Sequence, residues 1–312
     1  MTSATKPQVQ HRIVDAMNAD RRLDNYLGSV LKHVPKSMIY RIIRSGEVRI
    51  NGGRAKASSK LQAGDDVRIP PVRLDSIAPR ELAAAQVAAV DAQILFENDA
   101  VLILNKPHGL AVHGGTGLSF GAIDLVRAAR PAAVRIDLVH RLDRDTSGCL
   151  LFAKDPRTLR QLNRELAQQQ MEKRYLALLA GTLPQAEILI DRALDVDGHA
   201  GPERRTVSVE TGQLATTHFA RLSQYLNCCL VEATLHTGRT HQIRVHAQYL
   251  GQPVAGDPKY GDVAFNNAMA ALGLKRLFLH AARLEFTLDT RIRVEAPLPP
   301  DLQRLLTRLT PI

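Results

Sequence analysis

Residues 138 to 148 read Leu-Val-His-Arg-Leu-Asp-Arg-Asp-Thr-Ser-Gly, and the apolar run Cys149 to Ala153 follows. His140, Arg141, Asp143, Arg144 and Asp145 are thus crowded between apolar segments. Charges wedged in such a place are costly to desolvate unless paired, so the cluster is either a set of structural ion pairs or a site. Asp143 is the candidate chemical centre and Asp145 the competing carboxylate. Two residues apart, they would share one face of an extended segment. A carboxylate pair fits a glycosidase, with one acid and one base. Salt bridges to Arg141 or Arg144 fit an architectural role equally well, and spacing does not choose between them.

Other residue patterns offer less. His236, His241 and His246 recur at intervals of five, not at the i, i+4 spacing of a zinc-binding helix, and no Cys or Glu completes a ligand set. Hydrogen bonding at a helix start is the better reading, and no metal site is expected. Ser147 sits in Thr-Ser-Gly rather than in a nucleophile elbow. The loop Ala111 to Gly117 is glycine-rich but has neither the Gly-Lys-Ser/Thr ending of a P-loop nor a dinucleotide fingerprint, so its glycines read as turn chemistry. Cys149, Cys228 and Cys229 are odd in number, and none has metal-ligand spacing. A disulfide framework is not expected, which fits a reducing cytosol. The polar stretch Met1 to Gln10 does not read as a signal peptide, and no run of eighteen apolar residues exists to span a membrane.

The elements around the 138–148 stretch are short and varied. Ile94 to Glu97 and Val101 to Leu104 read as strands about the turn Asn98-Asp99, followed by Asn105-Lys106-Pro107-His108-Gly109. Ser119 to Arg130 reads as a helix. Asp155-Pro156 gives an N-cap and a first-turn proline to a helix whose apolar face carries Leu159, Leu162 and Leu166. Strands are expected at 172–179, 188–194, 277–286 and 291–295, with a hairpin over 216–222 and 228–235. A polar loop is expected over 195–203, followed by Arg204-Arg205. Ile243, Ala247 and Leu250 share a helical face that Gly251 ends, and a terminal helix spans 301–309. Strands and helices do not alternate regularly. The fold class is therefore α+β, with a mixed, mainly antiparallel sheet.

The N-terminal part differs. The chain has 312 residues and a formal charge of +10, yet twelve Lys and Arg against four Asp and Glu lie between Arg21 and Arg73, leaving only +2 for the rest. A basic unit joined to a nearly neutral one reads as an anion-binding module on a larger body. Leu23, Tyr26, Leu27, Val30 and Leu31 make one helix. Met38, Ile39, Ile42 and Ile43 line a second, whose other face carries Tyr40, Arg41 and Arg44. Val48 to Ile50 and Leu61 to Ile69 are strands, the first ending at the turn Asn51-Gly52. The expected layout is a disordered 1–19, the basic unit over 20–72, a linker over 73–92 that turns helical around 80–90, and the large domain over 93–312. The stretch Val34 to Gly52, with Pro35-Lys36-Ser37 and Arg44-Ser45-Gly46 within it, resembles the S4 RNA-binding domain.

Three separated motifs carry a second resemblance. His140 to Gly148 is similar to the signature of pseudouridine synthases of the RluA family, Lys173-Arg174-Tyr175 to that family's second motif, and Thr237-Gly238-Arg239-Thr240-His241-Gln242-Ile243-Arg244 to its third. The likeness runs from Arg21 to Pro300 and is least distinctive over 185–213 and 262–275. It implies isomerisation of uridine within RNA: the C1′–N1 bond breaks, the uracil rotates, and C1′ joins C5, without metal or cofactor.

By resemblance Asp143 is the essential carboxylate, Arg239 is the arginine paired with it, and Tyr175 packs on the flipped base. Arg141 fills the space that the base leaves, and Asp145 is structural. Lys36, Arg41, Arg44, Lys173 and Arg244 are the expected RNA contacts, with support of the site or an equally weighted structural ion pair as the alternatives for the last two. The implied partner is large-subunit ribosomal RNA or its assembly intermediate, acted on by a cytoplasmic monomer without an obligate protein partner. The contrary readings are an RNA-binding assembly protein without catalysis and a glycosidase. The scarcity of aromatics, 4% with no Trp, counts against the glycosidase.

Overall fold

The computed structural model describes residues 8–31, 34, 36–72, 82–114, 120–133, 135–196, 206–209 and 212–312, with the side chains of residues 17, 36, 37 and 196 outside that description. The chain divides into two compact units, residues 1–81 with 115–117, and residues 82–114 with 118–312.

In the first unit, β1 (Gln10–Ile13) precedes α1 (Leu23–Val30) and α2 (Lys36–Arg44), followed by β2 (Arg49–Ile50), β3 (Gly53–Arg54) and β4 (Asp66–Ile69). The apolar positions read from the sequence meet in one core, where Leu23, Leu27, Ile39, Ile42, Val48 and Val67 are buried. Burying that stripe is what holds two helices this short. Arg41 and Arg44 stay on the exposed side of α2. The sheet order is β1-β4-β2-β3. β1 corrects the expected disorder of 1–19: Gln10 to Ile13 pair antiparallel with Ile69 to Asp66, and Val14 is buried. All four strand residues are exposed, so the sequence carries no apolar alternation there and backbone pairing alone makes the strand.

The second unit opens with α3 (Ala84–Asp91), which lies inside the stretch expected as a linker and packs on α4 (Ala122–Ala129). Between them lie β5 (Ile94–Glu97) and β6 (Val101–Lys106). Then come β7 (Asp137–Leu138), β8 (Ser147–Ala153), α5 (Pro156–Ala167), β9 (Glu172–Ala180) and β10 (Glu187–Asp191). A small pair, β11 (Leu194–Val196) and β12 (Thr206–Ser208), precedes the hairpin of β13 (Thr216–Tyr225) and β14 (Cys228–Leu235). The chain ends through α6 (Gln242–Tyr249), α7 (Val263–Ala271), β15 (Leu279–Thr287), β16 (Arg291–Glu295) and α8 (Pro300–Leu306).

Among the described residues, ten strands form one sheet in the order β10-β13-β14-β9-β15-β8-β6-β5, with β16 beside β15 and β7 beside β8. Pairing is antiparallel except between β15 and β8, which gives the mixed, mainly antiparallel α+β sheet expected. β8 is buried at every position and reads as a continuous apolar run for that reason. One core gathers Leu102, Leu104, Leu150, Phe152 and Ala177 with α4 and α6 residues. A second gathers Val101, Ile103, Leu151 and Leu162 of α5, from alternate residues of the same strands. The three cysteines are free and buried. The end of the glycine loop from 115 on, the remainder of the expected linker at 73–81, and residues 197–205 of the later loop with Arg204-Arg205 lie outside the described residues.

Candidate active site

Asp143 stands in the loop between β7 and β8, and the fold fixes that loop from several directions. Its carbonyl accepts from Thr146 N at 3.1 Å, closing a turn. On the entering side, His140 Nε2 accepts from Leu151 N at 3.3 Å. On the leaving side, Gly148 has φ +110°, and a Cβ there would lie 2.2 Å from the Ala281 carbonyl oxygen. Only glycine lets β8 meet β15 so closely.

Lys106, the last residue of β6, is wholly buried. Its ammonium donates to the carbonyls of Pro107 at 3.0 Å, Leu110 at 2.8 Å and Arg144 at 3.0 Å. Burial pulls its pKa down to about 7, while the charges of Asp145 and Asp143 pull the other way. Three carbonyls match the three donors of an ammonium, which we take as the state present. Gly109 N also donates to the Arg144 carbonyl, and His108 Nδ1 to that of Asp145 at 3.0 Å. Asn105 to Gly109 thus brace the turn after Asp143.

The arginine on Asp143 is Arg244, with Nη1 donating to Asp143 Oδ2 at 3.3 Å. This corrects the pairing expected for Arg239. Arg239 lies in the exposed loop before α6, and its Nε donates to the Leu214 carbonyl at 3.1 Å. The difference comes from where the helix starts. His241, in the left-handed region at φ 57°, is the N-cap, so Arg244 falls in the first turn and is buried. Asp257, fully buried in the turn Gly256 to Gly261, holds the rest of the guanidinium: Nε to Oδ2 at 2.7 Å and Nη2 to Oδ1 at 2.8 Å. Burial works against the charges of both, yet Asp257 and Asp143 leave Arg244 above its usual value, and Arg244 leaves the Asp257 carboxyl below its own. This is the bidentate geometry that fixes a guanidinium plane, with Nη1 left for Asp143.

His241 approaches the same carboxylate, its Nε2 3.8 Å from Asp143 Oδ2. Its Nδ1 lies 2.8 Å from the Tyr260 hydroxyl, which accepts from Thr206 N at 2.9 Å. In the tautomer that carries its proton on Nε2, Nδ1 accepts from the Tyr260 hydroxyl and the N–H faces Asp143. Burial lowers the His241 pKa, against the charge of Asp143. His246 sits on Thr217 Oγ1 and the Arg192 carbonyl instead, and His236 is exposed. The three histidines therefore diverge, and no group fit to hold a metal is present among the described residues.

These elements enclose a cavity of about 470 Å³ lined by Arg141, Asp143, Lys173, Tyr175, Arg239, His241 and Arg244, with Leu142, Leu235, Ile243 and Leu279 as apolar wall. Lys173 and Tyr175 come from one face of β9 and are both buried. Burial, and then the charge of Asp143, raises the Tyr175 phenol, which stays protonated. Burial lowers the Lys173 ammonium. Burial and Lys173 push His140 down to about 4. Gln242 ties the loop to β13, accepting from Thr237 Oγ1 and Arg239 N and donating to the Thr216 carbonyl and Thr217 Oγ1. Asp145 is not in this wall; it pairs with Arg144 at 3.1 Å, so the two carboxylates are not presented together.

The sequence reading thus found Asp143, Arg141, Lys173, Tyr175, Arg239 and Arg244, and the structure gathers all six in one wall. Arg41 and Arg44 belong to the other unit, where α2 also carries Lys36. Asp257 and Tyr260 were missed. Their only signal is a turn-rich Gly-Asp-Pro-Lys-Tyr-Gly segment that spends an acid, a base and an aromatic between two glycines.

Residues 100–249 match the family model described as RNA pseudouridylate synthase, and residues 21–67 match the S4 domain. The chain is 49% identical over 295 residues to ribosomal large subunit pseudouridine synthase C of Haemophilus influenzae, covering 93% of this chain and 91% of that protein. It is 47% identical over 313 residues to the protein of the same name in Escherichia coli, covering 97% of each. Among solved structures, human RNA pseudouridylate synthase domain containing 4 superposes with TM-score 0.61 at 26% identity, over 72% of this chain and 96% of that one. Identity of this extent over nearly the whole length, together with the matching fold, establishes that the chain belongs to the RNA pseudouridylate synthase family and carries an S4 domain ahead of the synthase domain.

Proposed function

We propose that this protein isomerises uridines of large-subunit ribosomal RNA to pseudouridine, with Asp143 as the catalytic carboxylate. The observation that carries the reading is the position of Asp143: at the wall of a cavity of about 470 Å³, on Arg244, with Tyr175 in the same wall. A cavity of that size falls in the range that small ligands occupy. The target base leaves its stack to enter it, at a cost of about a few kcal/mol. Arg141, exposed at the rim, takes the space left in the RNA.

The reaction conserves its atoms. The C1′–N1 bond breaks, the uracil turns, C1′ bonds to C5, the C5 proton leaves and N1 gains one. Asp143 either attacks C1′ or takes the C2′ proton, and both routes use it as an anion. Arg244 Nη1 donates to that anion and sets its direction, and the His241 ring approaches it at 3.8 Å. Tyr175 offers a ring face to the base and a protonated hydroxyl to its edge. Arg239 and Lys173 supply positive charge at the wall, and Arg41 and Arg44, with Lys36, supply phosphate contacts from the S4 unit. No metal or cofactor takes part. The protein acts as a cytoplasmic monomer on ribosomal RNA or its assembly intermediate.

Asp143→Asn tests this directly. The variant is expected to bind ribosomal RNA with unchanged affinity and to form no pseudouridine, read by carbodiimide modification and primer extension. Normal conversion by the variant would remove Asp143 from the chemistry.

A further inference from the structure

A second cavity, of about 480 Å³, lies in the synthase unit away from the site just described. Lys275, Arg276, Arg304, Arg308 and His108 line it, against a single acid, Asp301. Outside Arg21 to Arg73 the whole chain carries only +2, so four cations converging here are not the average of the surface. Arg276 is the innermost, its side chain 8% exposed. It donates from Nη2 to Ser147 Oγ at 2.6 Å and from Nε to the Leu277 carbonyl at 3.2 Å. The remaining N–H donors of the guanidinium have no hydrogen-bond acceptor among the described residues. Asp301, 4.0 Å away and 45% exposed, is too distant and too hydrated to satisfy them. Burial accordingly lowers the Arg276 pKa, and Asp301 and Asp145 do not restore it. Lys275 and Arg304 are exposed and have no acidic partner within 4.0 Å among the described residues. A guanidinium whose side chain is 8% exposed, with its remaining donors open to the cleft and Lys275 and Arg304 beside it, is matched by a phosphate, whose oxygens accept from a planar fork.

We propose that this cleft binds a backbone phosphate of the RNA substrate, at a distance from the nucleotide being isomerised, with Arg276 as the anchor. It rests on RNA being the substrate, as argued above. The cleft is also wired to the catalytic loop. His108 holds the Asp145 carbonyl and Arg276 holds Ser147, the residues on either side of Thr146, which lines the cavity of Asp143. A phosphate on Arg276 therefore presses on the back of the loop whose front carries the carboxylate. RNA bound across both cavities is held in register and steadies Asp143 with one contact.

Lys275→Ala with Arg304→Ala tests the assignment on exposed side chains that no packing depends on. Binding of a ribosomal RNA fragment is measured by fluorescence anisotropy across a salt series, with Arg221→Ala on β13 as the control. Each phosphate contact contributes about 0.7–0.9 to the slope of log K against log salt. The double variant is expected to lose about 0.7–0.9 of slope, the share of one phosphate, and to bind at least tenfold more weakly at low salt, and the control to match the wild type. Asp301→Asn is expected to act in the opposite sense and tighten binding. Unchanged affinity and slope in the double variant, or an equal loss in the control, would overturn the assignment. Thermal protection of the wild type by inorganic phosphate, lost in the double variant while RNA affinity stays the same, would overturn it too, in favour of a free phosphate ion. The readout is affinity and not turnover, so it is separate from the fate of Asp143→Asn.

Discussion

Asp257→Asn keeps the shape of a fully buried side chain and removes the charge on which Arg244 rests. Oδ1 accepts from Arg244 Nη2 and from the backbone N–H groups of Lys259 and Tyr260, while Oδ2 accepts from Arg244 Nε. The asparagine oxygen can keep the Oδ1 position, which places its amide N–H₂ against Nε–H, donor against donor. Removing one partner of a buried ion pair costs about 3–5 kcal/mol. The retained backbone bonds put the variant near the low end, and about 3 kcal/mol in a domain of this size lowers Tm by about 6–12 °C. A guanidinium free to rotate no longer holds Nη1 on Asp143. A loss of about 1.4–2.7 kcal/mol of transition-state stabilisation there is a 10- to 100-fold fall in rate. The assay is single-turnover pseudouridine formation with enzyme saturating, beside a thermal melt and an RNA titration. The rate and Tm should fall while affinity for RNA stays within twofold. A variant with a lowered Tm and a wild-type rate would show that Arg244 is architectural and that Asp143 does not depend on its direction.

Further outcomes follow from the same geometry. Gly148→Ala sets a Cβ against the Ala281 carbonyl at a positive φ, and the strain and overlap together cost about 2–6 kcal/mol, read as a lower urea midpoint; a midpoint equal to wild type would contradict the close approach of β8 and β15. Arg239→Ala should slow single-turnover formation at least tenfold less than Arg244→Ala, because only Arg244 touches Asp143, and the reverse order would restore the pairing first expected from the sequence. Burial holds His140 and His280 at about 4. The unfolded chain takes up protons near pH 6.5 that the folded chain refuses, so stability is lost as pH falls from about 6.5 towards 4, by about 1.4 kcal/mol per pH unit for each histidine, and the loss levels off below that. Urea midpoints at pH 7.5 and pH 5.0 measure this, and equal midpoints would refute it.

The sequence disclosed those parts of the molecule that carry their own pattern. β8 announced itself as an apolar run because it is buried on both faces, and α5 through its Asp155 cap and the proline after it. Asp143 stood out because charges had been placed where only an ion pair or a site would tolerate them. β1 was invisible because its four side chains face solvent and its stabilisation is all backbone. The choice between Arg239 and Arg244 was equally closed to inspection. Both lie within six residues of one motif, and which one turns inward depends on a single left-handed N-cap, His241, a conformation that residue type does not dictate. Asp257 could not be found by spacing at all. Thirteen positions separate it from Arg244, and only the turn through Gly256 brings its carboxylate back under the helix.

The buried cysteines make the chain its own fluorescent gauge. Only a thiolate attacks a maleimide, and burial pushes the Cys149 thiol up to about 12 and the Cys228 thiol up to about 11, with Cys229 raised as well. A dye offered to the native protein near neutral pH is left unreacted until the sheet opens, so the rate of labelling counts opening events. The same silence permits a single cysteine at an exposed position, such as Arg304→Cys, to take a probe alone without first removing the natural three.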